Sequence, residues 1–480
     1  MRFTLVICSM LVVGFCCYGN TINLGVNALP EVKVGIFSRS TNHTQILRQI
    51  YEPPFLIDKN SKLISPYFKN WFVKNKGKLY EFILNPSLKF SNGEPITINH
   101  LKSIIERKDL DGNFLIQHLK KVLITNNKMT VFLEKPNITL PEKLSDLSFA
   151  FISEKQRYNF PIGSGAFYIN GVNTNDMQLS RNLNHRDFLN GNISIINVKK
   201  LDKTVYKLEE LHALKIDFFP LVQVTDVDKA RFNKFKRILF PSHRTNVLVL
   251  NIADAGIRMK FAACLNPKDL FEIPYIKSNS MPYNSVVPNG LENYIPDPNL
   301  RSGYSQKKCE LFLKNKKSKA LRWLNIYIDN RSQEYVAQTV RHIEKQTGFK
   351  IQIINKDLKS SHDVISTGEY EIFVCGVGSP YPLAEGILAD FIYSKNDKSK
   401  LLKFDVPKLR KHFVEYQSSS HETRGKKILE LVNILVADSL VIPFARKIDA
   451  YLIPDKWRGL TMVNGMNGNF YLGEVSINEN

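Results

Sequence analysis

Cysteine is scarce in this chain, with six residues in 480, and three of the six lie within the first 17 positions. The three beyond that segment are far apart, and they form neither a Cys-x-x-Cys pair nor a metal-ligand spacing. This pattern excludes a zinc-ribbon or thioredoxin-like motif. We expect small buried hydrophobes rather than disulfide partners, although an oxidising compartment leaves one bridge open. The residues concerned are Cys264, Cys309 and Cys375.

Catalytic motifs are also missing. There is no Walker A loop, and His421-Glu422 lacks the second histidine of a zinc-protease helix. Gly163-Ser164-Gly165 has the wrong spacing for a nucleophile elbow. The ten histidines are scattered. We therefore expect no enzyme, no catalytic residue, no metal ligand and no cofactor.

Acidic residues are in deficit: 45 Asp and Glu stand against 66 Lys and Arg, which gives a formal charge of +21. The basic residues are dispersed over much of the chain. They form no zinc finger, aromatic-interleaved RNA motif or long basic arm, so we expect no nucleic-acid partner. We interpret the excess charge mainly as compositional bias on a solvated surface, and weak attraction to anionic lipid stays open.

Long apolar runs are confined to the N-terminus. Arg2 precedes a mostly apolar segment of 15 residues at positions 3–17, which is too short for a comfortable membrane span. Small residues before Asn20 are typical of a cleavage site, so residues 1–19 are predicted to be a signal peptide. Lipidation at Cys16 or Cys17 is the alternative, weakened by bulky Phe15. We expect an exported, periplasmic or otherwise extracytoplasmic protein.

The remaining composition predicts a folded α/β protein. Hydrophobic residues make up 43% of the chain, and 480 residues suffice for two or three compact units. The segment 50–107 shows the local pattern best: a period-2 strand, an Asn-Gly turn at 92–93, and a helix that begins after Thr97. His100 stands where a capping box has Glu or Gln. The expected buried residues are Tyr80, Phe82 and Leu84 on the strand and Ile98, Leu101, Ile104 and Ile105 on the helix.

Helices and strands also alternate in the second half of the chain. Val336, Val340 and Ile343 recur at helical spacing, and Gly348 fits the position after a helix end. Alternating apolar residues at 349–353 and the run 370–374 predict strands. This alternation favours a mixed α/β sheet.

Several motifs together resemble one known family. They are Tyr51-Glu52 with the strand–turn–helix that follows, Pro161-Ile162-Gly163-Ser164-Gly165, Arg181-Asn182, Arg258 in the helix 257–265, and Leu440-Val441-Ile442-Pro443-Phe444. Their order and spacing resemble the bacterial extracellular solute-binding proteins of family 5, the peptide-binding receptors of ABC importers. Each motif is weak alone, but together they extend over nearly all of residues 31–475.

The resemblance implies a two-lobe fold of the periplasmic-binding-protein type with mixed sheets. The first lobe would contain residues 31–250 plus 446–480, with a smaller subdomain at about 60–160, and residues 251–445 would form the second lobe. The chain would cross between lobes twice. Hinges are therefore expected near Asn251 and Pro443.

The resemblance also implies a ligand site between the lobes. The predicted ligand-binding residues are Tyr51, Glu52, Pro53, Ser164, Gly378, Ser379, Tyr381 and Glu385. This sequence departs from the family where an acid usually binds the α-ammonium of the peptide, because Pro380 and Leu383 replace the two acids and Val377 replaces a Trp. Glu52 and Glu385 are the nearest acids by position. Either could substitute; otherwise both would be solvated loop acids.

The function implied is a monomeric receptor that delivers a peptide or peptide-like solute to an ABC permease in the inner membrane. Two alternatives stay open. One is a degenerate member that acts as a sensor or an envelope interaction protein. The other is a binder of a non-peptide solute, such as a nickel chelate, haem, a sugar or an opine.

Overall fold

The fold was analysed on a computed structural model of the chain. It describes residues 19–30, 41–58, 62–106, 119–202, 205–219, 223–224, 235–277, 280–300, 302–314, 320–326, 330–379, 382–392, 400–462 and 470–478. The predicted signal peptide therefore lies outside the described residues, apart from Gly19. Among the described helices, none combines the length and apolarity needed to cross a membrane.

The described part of the chain is built from strands and helices throughout. Its strands are, in chain order, β1 (Asn20–Val26), β2 (Leu56–Ile57), β3 (Leu63–Ile64), β4 (Phe68–Lys74), β5 (Leu79–Leu84), β6 (Leu119–Thr125), β7 (Lys128–Leu133), β8 (Ile152–Arg157), β9 (Phe160–Gly163), β10 (Phe167–Val172), β11 (Asp176–Arg181), β12 (Ile193–Lys200), β13 (Val205–Tyr206), β14 (Gln223–Val224), β15 (Phe235–Leu250), β16 (Ser280–Pro282), β17 (Leu321–Ile326), β18 (Ile351–Lys356), β19 (Ile372–Gly378), β20 (Val441–Pro454), β21 (Trp457–Arg458), β22 (Thr461–Met462), β23 (Phe470–Tyr471) and β24 (Ser476–Ile477). Its α-helices are α1 (Thr41–Ile50), α2 (Ile98–Glu106), α3 (Leu140–Lys143), α4 (Leu208–Ala213), α5 (Ala255–Cys264), α6 (Pro267–Phe271), α7 (Pro274–Lys277), α8 (Gln306–Leu313), α9 (Asn330–Thr347), α10 (Leu358–Thr367), α11 (Glu385–Leu388), α12 (Pro407–Ser418) and α13 (His421–Ala437). Short 3₁₀ turns occur at Asn75–Gly77, Leu147–Phe149, Leu291–Asn293 and Ala389–Phe391.

The first sheet has the strand order β1-β12-β11-β10, with β1 parallel to β12 and the other pairs antiparallel. Helix α1 packs on it through Ile46, Leu47 and Ile50. Residues near the C-terminus, among them Tyr451 and Phe470, belong to the same core. The two ends of the described chain therefore share one hydrophobic cluster.

A second, antiparallel sheet has the order β4-β5-β7-β6 and carries the predicted strand–turn–helix. The prediction for this segment is confirmed, because Tyr80, Phe82 and Leu84 on β5 are buried against the apolar side of α2. The helix begins with an unusual capping box: Nδ1 of His100 accepts a hydrogen bond from the backbone N–H of Thr97 at 3.0 Å. A neutral imidazole can accept this bond in place of a carboxylate, and burial lowers the pKa of His100, which favours the neutral form.

The third sheet has six strands in the order β16-β20-β15-β19-β17-β18. Alternating residues point to opposite sides, so Val247 and Val249 join one core while Leu248 and Leu250 join another. Helices α5, α6 and α9 cover one face, and α10 to α13 cover the other. The predicted helix through Val340 and the left-handed Gly348 after it are both confirmed, the glycine with φ of 69°.

Strands β15 and β20 are the longest in the described chain and run through two environments. They pair with each other from Phe235 opposite Pro454 to Val249 opposite Val441. One end of this ladder contacts the core of the first sheet through Tyr451 and Ile453. The other end lies inside the six-stranded sheet. These two strands are thus the connection between the two parts of the molecule.

A disulfide corrects one sequence-based prediction. Cys264, at the end of α5, is bonded to Cys309 on α8, with the two Cα atoms 4.7 Å apart and a sequence separation of 45. The expectation of three unpaired buried cysteines was wrong, because the packing of α8 against α5 brings two distant positions together. Cys375 is a free thiol whose pKa is raised to about 12 by burial.

The domain boundaries stay a prediction. Strand β1 begins at Asn20 and pairs with β12, so residues before 31 already contribute to the first sheet. The segment 60–160 contains the antiparallel sheet of β4 to β7 with its own core. In addition, Leu383, from the proposed second lobe, is buried in that core.

Candidate functional site

The two connecting strands lose their regular pairing at residues 242–244. The ladder shifts between Pro241 and Thr245, opposite Ile448 and Arg446. The guanidinium of Arg446 donates to the carbonyl oxygen of Ser242 at 2.8 Å. A second shift, between Asn246 and Val247, falls opposite residues 443–445.

The predicted hinge residues lie close to these irregularities. Pro443 pairs with Val247 beside the second shift, whereas Asn251 follows the end of β15. The side-chain amide of Asn251 donates to the carbonyl oxygen of Tyr370 at 3.0 Å, and its Oδ1 accepts from the backbone N–H of Lys403 at 2.9 Å. Asn251 is thus bonded into the six-stranded part. The hinge role of both residues stays a prediction.

Glu52 lies in a buried polar network rather than on a solvated loop. Its Oε1 is 3.1 Å from Nη2 of Arg186 and 3.2 Å from Nε2 of His185. The hydroxyl of Tyr67 lies 2.8 Å from its Oε2, and that of Tyr471 lies 3.3 Å from its Oε1. These contacts join segments that are up to 419 residues apart. The alternative of a solvated acid is wrong for Glu52.

Electrostatics hold this carboxylate in its charged form. Burial alone would raise the pKa of Glu52, but the charges of Arg186 and His185 and their hydrogen bonds outweigh burial and hold the pKa well below its usual range. Burial, followed by the nearby Glu52 charge, raises the pKa of Tyr67, which keeps its hydroxyl protonated. Glu52 is therefore satisfied inside the protein.

The glycines around Ser164 are required by close packing. A Cβ atom on Gly163 would lie 2.2 Å from the carbonyl oxygen of Ile50, and one on Gly165 would lie 2.5 Å from that of Gln49. The turn therefore passes directly over the end of α1. It places Oγ of Ser164 2.9 Å from the Tyr67 hydroxyl.

Four of the predicted binding residues thus come together inside the first part of the molecule. Tyr51 is fully buried and donates to the carbonyl oxygen of Pro161 at 2.8 Å, and Pro53 is also buried. Sequence reasoning missed Arg186, the strongest partner of Glu52. The available signal was its position directly after the family-like segment that ends at His185.

The segment after β19 carries the predicted residues of the second part. Gly378 pairs with Arg244 across the ladder, and Ser379 is buried. A Cβ atom on Gly376 would lie 2.2 Å from Nε of Arg244, so this glycine leaves space for the arginine side chain. Pro380 and Tyr381 lie outside the described residues.

The segment 383–385 contacts the antiparallel sheet and helix α3. Leu383 is buried in the core of that sheet. Oε1 of Glu385 is 2.7 Å from Nζ of Lys143 and 2.9 Å from Nε2 of Gln417. Only 3% of the Lys143 side chain and 2% of the Glu385 side chain are exposed. Because these two residues are 242 positions apart, the ion pair joins α3 to α11 across the boundary of the predicted lobes. The alternative of a solvated acid is wrong for Glu385 too.

A second buried ion pair lies on the α11 side of this boundary. Oε1 of Glu292 is 2.6 Å from Nη1 of Arg424, and its Oε2 accepts from the Tyr416 hydroxyl at 2.7 Å and from the backbone N–H of Ala384 at 2.8 Å. Burial alone would lower the pKa of Arg424, but Glu292 outweighs it and raises the pKa.

Glu142 approaches this pair from α3. Its Oε2 is buried and makes no hydrogen bond to any described residue, and burial raises the pKa of its carboxyl group. Charged groups from both parts of the molecule therefore meet in one buried interface. Sequence motifs pointed to Glu385 alone, because the members of the interface are spread from position 142 to position 424.

Three side chains outside this interface could hold a metal ion. The ligand atoms of His412, Glu415 and Glu430 lie within 4.8 Å of one another. The ammonium group of Lys427 is already 2.9 Å from Glu415 and 2.8 Å from Glu430, so the two carboxylates share one cationic partner. Sequence reasoning did not identify this group, and the predicted lack of a metal stays a prediction.

Comparison with solved structures shows the fold. The chain is similar to OppA of Haemophilus influenzae in complex with RPPGFSPFR, with a TM-score of 0.79 and 15% identity over 96% of this chain and 99% of that one. It is similar to AgaA of A. tumefaciens R10 in complex with agropinic acid, with a TM-score of 0.80 and 15% identity over the same shares. The predicted α/β fold of the periplasmic-binding-protein type is confirmed.

The murein tripeptide binding protein MppA of Escherichia coli provides two comparisons. One structure has a TM-score of 0.80, with 14% identity over 96% of this chain and 99% of that one. Its unliganded open form has a TM-score of 0.70, with 13% identity over 96% and 98%. The present structure is therefore less similar to the open form of MppA than to the other MppA structure.

Sequence comparison gives the family. The uncharacterized protein YhjP of Bacillus subtilis (strain 168) is 26% identical over 152 residues, which are 31% of this chain and about a quarter (26%) of that relative's length. The family model described as bacterial extracellular solute-binding proteins, family 5 Middle, matches residues 63–399, well over half of the chain. The chain therefore belongs to the bacterial extracellular solute-binding proteins of family 5, as its sequence motifs predicted.

Proposed function

We propose that this protein is an extracytoplasmic receptor that closes its two lobes around a peptide or peptide-like solute and delivers it to an ABC permease. Membership of the family supports solute binding rather than catalysis. The predicted signal peptide at residues 1–19 supports export. The partner permease and the periplasmic location are parts of this proposal.

The observation that carries the proposal is the interface between α3 and α11. Lys143 and Glu385 lie on opposite sides of the predicted lobe boundary, and both are buried by the contact. Two charged side chains leave water together only where the surrounding surfaces meet. This supports a closed state in which the lobes touch beside the ligand site, with residues 242–244 of β15 as part of the flexible connection.

The same interface supports a specific view of the ligand. Pro380 stands where the family has an acid and offers neither a charge nor a backbone N–H. The nearby Glu385 already binds the ammonium group of Lys143, and Glu52 binds Arg186. No acid predicted from the motifs is left for the α-ammonium of a peptide. We propose that the site does not require a free α-amine and that Gly378, Ser379 and Tyr381 contact the ligand backbone.

A pair of matched peptide libraries tests this proposal. The protein is mixed with a tripeptide-to-pentapeptide library, and separately with the same library after N-acetylation, and bound peptides are identified by native mass spectrometry. We expect both libraries to yield ligands of similar affinity. A ligand at one hundred times its Kd should stabilise the folded protein by about 2.7 kcal/mol, which a thermal-shift assay detects. Binding of free-amine peptides alone would overturn the specificity proposal, and no binding from either library would argue against a peptide receptor.

A further inference from the structure

The sheet formed by β4, β5, β7 and β6 has an outer face that points away from its packed core. Its inner face carries Tyr80, Phe82 and Leu84 and packs on α2. By strand register, the intervening residues form the outer face. One row across it is Phe72, Glu81, Thr130 and Leu123, and the next is Lys74, Leu79, Phe132 and Lys121.

This outer face is unusually apolar for a solvent-facing sheet. Phe72 is 45% exposed and Leu123 is 41% exposed, on the two edge strands. In the neighbouring rows, on the two central strands, Leu79, Ile83 and Phe132 are only partly buried. Solvent-facing positions of an antiparallel sheet are normally polar, so five apolar residues interspersed with polar and basic ones on this face indicate an interaction surface.

The same sheet concentrates positive charge. Its two segments, 68–84 and 119–133, contain seven lysines and one acid, Glu81, a net charge of +6 within 32 of the 480 residues. Nζ of Lys74 and Nζ of Lys128 each lie 2.6 Å from Glu81, which neutralises that acid. The other five lysines are exposed and form no salt bridge with a described residue: Lys69, Lys76, Lys78, Lys120 and Lys121.

The positions of these lysines matter as much as their number. Lys76 and Lys78 lie at the turn between β4 and β5, at one end of the sheet. Lys69 and Lys120 lie at pairing irregularities on the two edge strands. The apolar residues thus lie between lysines at one end of the sheet and lysines on its two edge strands. Flexible lysines around a shallow apolar surface fit a layer of lipid phosphates better than they fit a shaped protein pocket.

We propose that this face binds the surface of a bilayer that contains anionic phospholipid, with Phe72 and Leu123 inserted among the headgroups and the lysines bound to phosphates. Such contact would hold the receptor at the membrane without a spanning helix. It is independent of the solute site, because the residues concerned lie on the side of the sheet opposite to its packed core. Charge attraction and apolar insertion would act together, as at other interfacial surfaces.

Vesicle flotation of the full chain without its predicted signal peptide tests the proposal. The probes are phosphatidylcholine vesicles with 25% phosphatidylglycerol and vesicles of phosphatidylcholine alone. We expect binding to the first, at least tenfold weaker binding to the second, and release at high salt because the lysine–phosphate attraction is screened. The variant K76E/K78E/K121E should lose at least tenfold of the bound fraction.

A matched control separates this face from diffuse charge. The variant K307E/K308E/K345E changes the net charge equally, on exposed lysines of α8 and α9, and should bind within twofold of the unaltered protein. F72S/L123S should also bind weakly while keeping its circular dichroism spectrum. Equal losses in the two charge-reversal variants, full binding by F72S/L123S, or no vesicle binding by the unaltered protein would each overturn the proposal, the last in favour of an acidic protein partner.

Discussion

Replacement of Lys143 by methionine should open the molecule. In the closed arrangement this change leaves Glu385 with Gln417 as its remaining hydrogen-bond partner and with no opposite charge in direct contact. In an open arrangement the Glu385 carboxylate would return to water and lose nothing by the change. The cost therefore falls on the closed state alone.

The expected size of this effect follows from the burial of the pair. Removal of one partner from a buried ion pair costs about 3–5 kcal/mol, because a charge is left uncompensated. At 1.4 kcal/mol for each tenfold change, the ratio of closed to open molecules should fall by roughly two to three and a half powers of ten. Lys277 and Glu272 provide a matched control, with the same kind of pair at 2.6 Å but with side chains 56% and 59% exposed. K277M should change the free-energy difference between the closed and open states by less than about 1 kcal/mol.

Small-angle scattering without ligand provides the assay. K143M should have a larger radius of gyration than the unaltered protein and K277M, and faster amide exchange around Leu383, whose side chain would leave the core of the antiparallel sheet. The double variant K143M/E385L should return toward the closed dimensions, since two apolar side chains need no ionic partner. If K143M keeps the dimensions and exchange of the unaltered protein, the pair does not hold the lobes together.

Two further changes test other parts of the structure. The double variant C264S/C309S removes the disulfide that closes a loop of 45 residues. Its free energy of unfolding, measured by urea titration under oxidising conditions, should be lower by about 4 kcal/mol. An unchanged midpoint of unfolding would contradict the bridge. Burial, with a smaller effect of Arg446, lowers the pKa of His243 to about 4. As pH falls from 6.5 to 4, this histidine therefore binds a proton in the unfolded chain before it does so in the folded protein. Stability should therefore decrease in this window by at most about 3 kcal/mol, and H243Q should remove that part of the pH dependence; an identical slope in H243Q would refute the assignment.

Local sequence patterns were sufficient to predict those helices and strands that depend on short-range spacing alone. The apolar spacing of α2 and the alternation of β5 are short-range properties, and both elements form as predicted. Gly348 ends α9 because glycine, which has no Cβ atom, adopts the left-handed conformation at that position without steric cost. Even the departure at His100 is local, since its ring replaces the expected acid within the same helical turn.

The site was much less accessible to sequence reasoning, for a physical reason. The partners of Glu52 are 15, 133, 134 and 419 residues away, and the partner of Glu385 is 242 residues away. Whether an acid is solvated or buried depends on these distant contacts and not on its neighbours in the chain. The Cys264–Cys309 bridge was missed for the same reason.

The family resemblance pointed to particular loops but could not say what each side chain contacts. It led to Glu52 and Glu385 as candidate ligand anchors. The structure gives both carboxylates internal cationic partners, Arg186 and Lys143. A sequence motif predicts which loop a residue lies in. A residue that binds a ligand must also have a side chain that is not already paired with another group of the protein.

Native mass spectrometry of the purified protein tests the central claim most directly. The protein is analysed as isolated and after incubation with a peptide digest of casein, then again under denaturing conditions. A receptor that closes around a solute should carry one small molecule per chain, released on denaturation, with K143M retaining it more weakly than K277M. A chain that carries no solute as isolated and takes up none from the digest would contradict the proposed function.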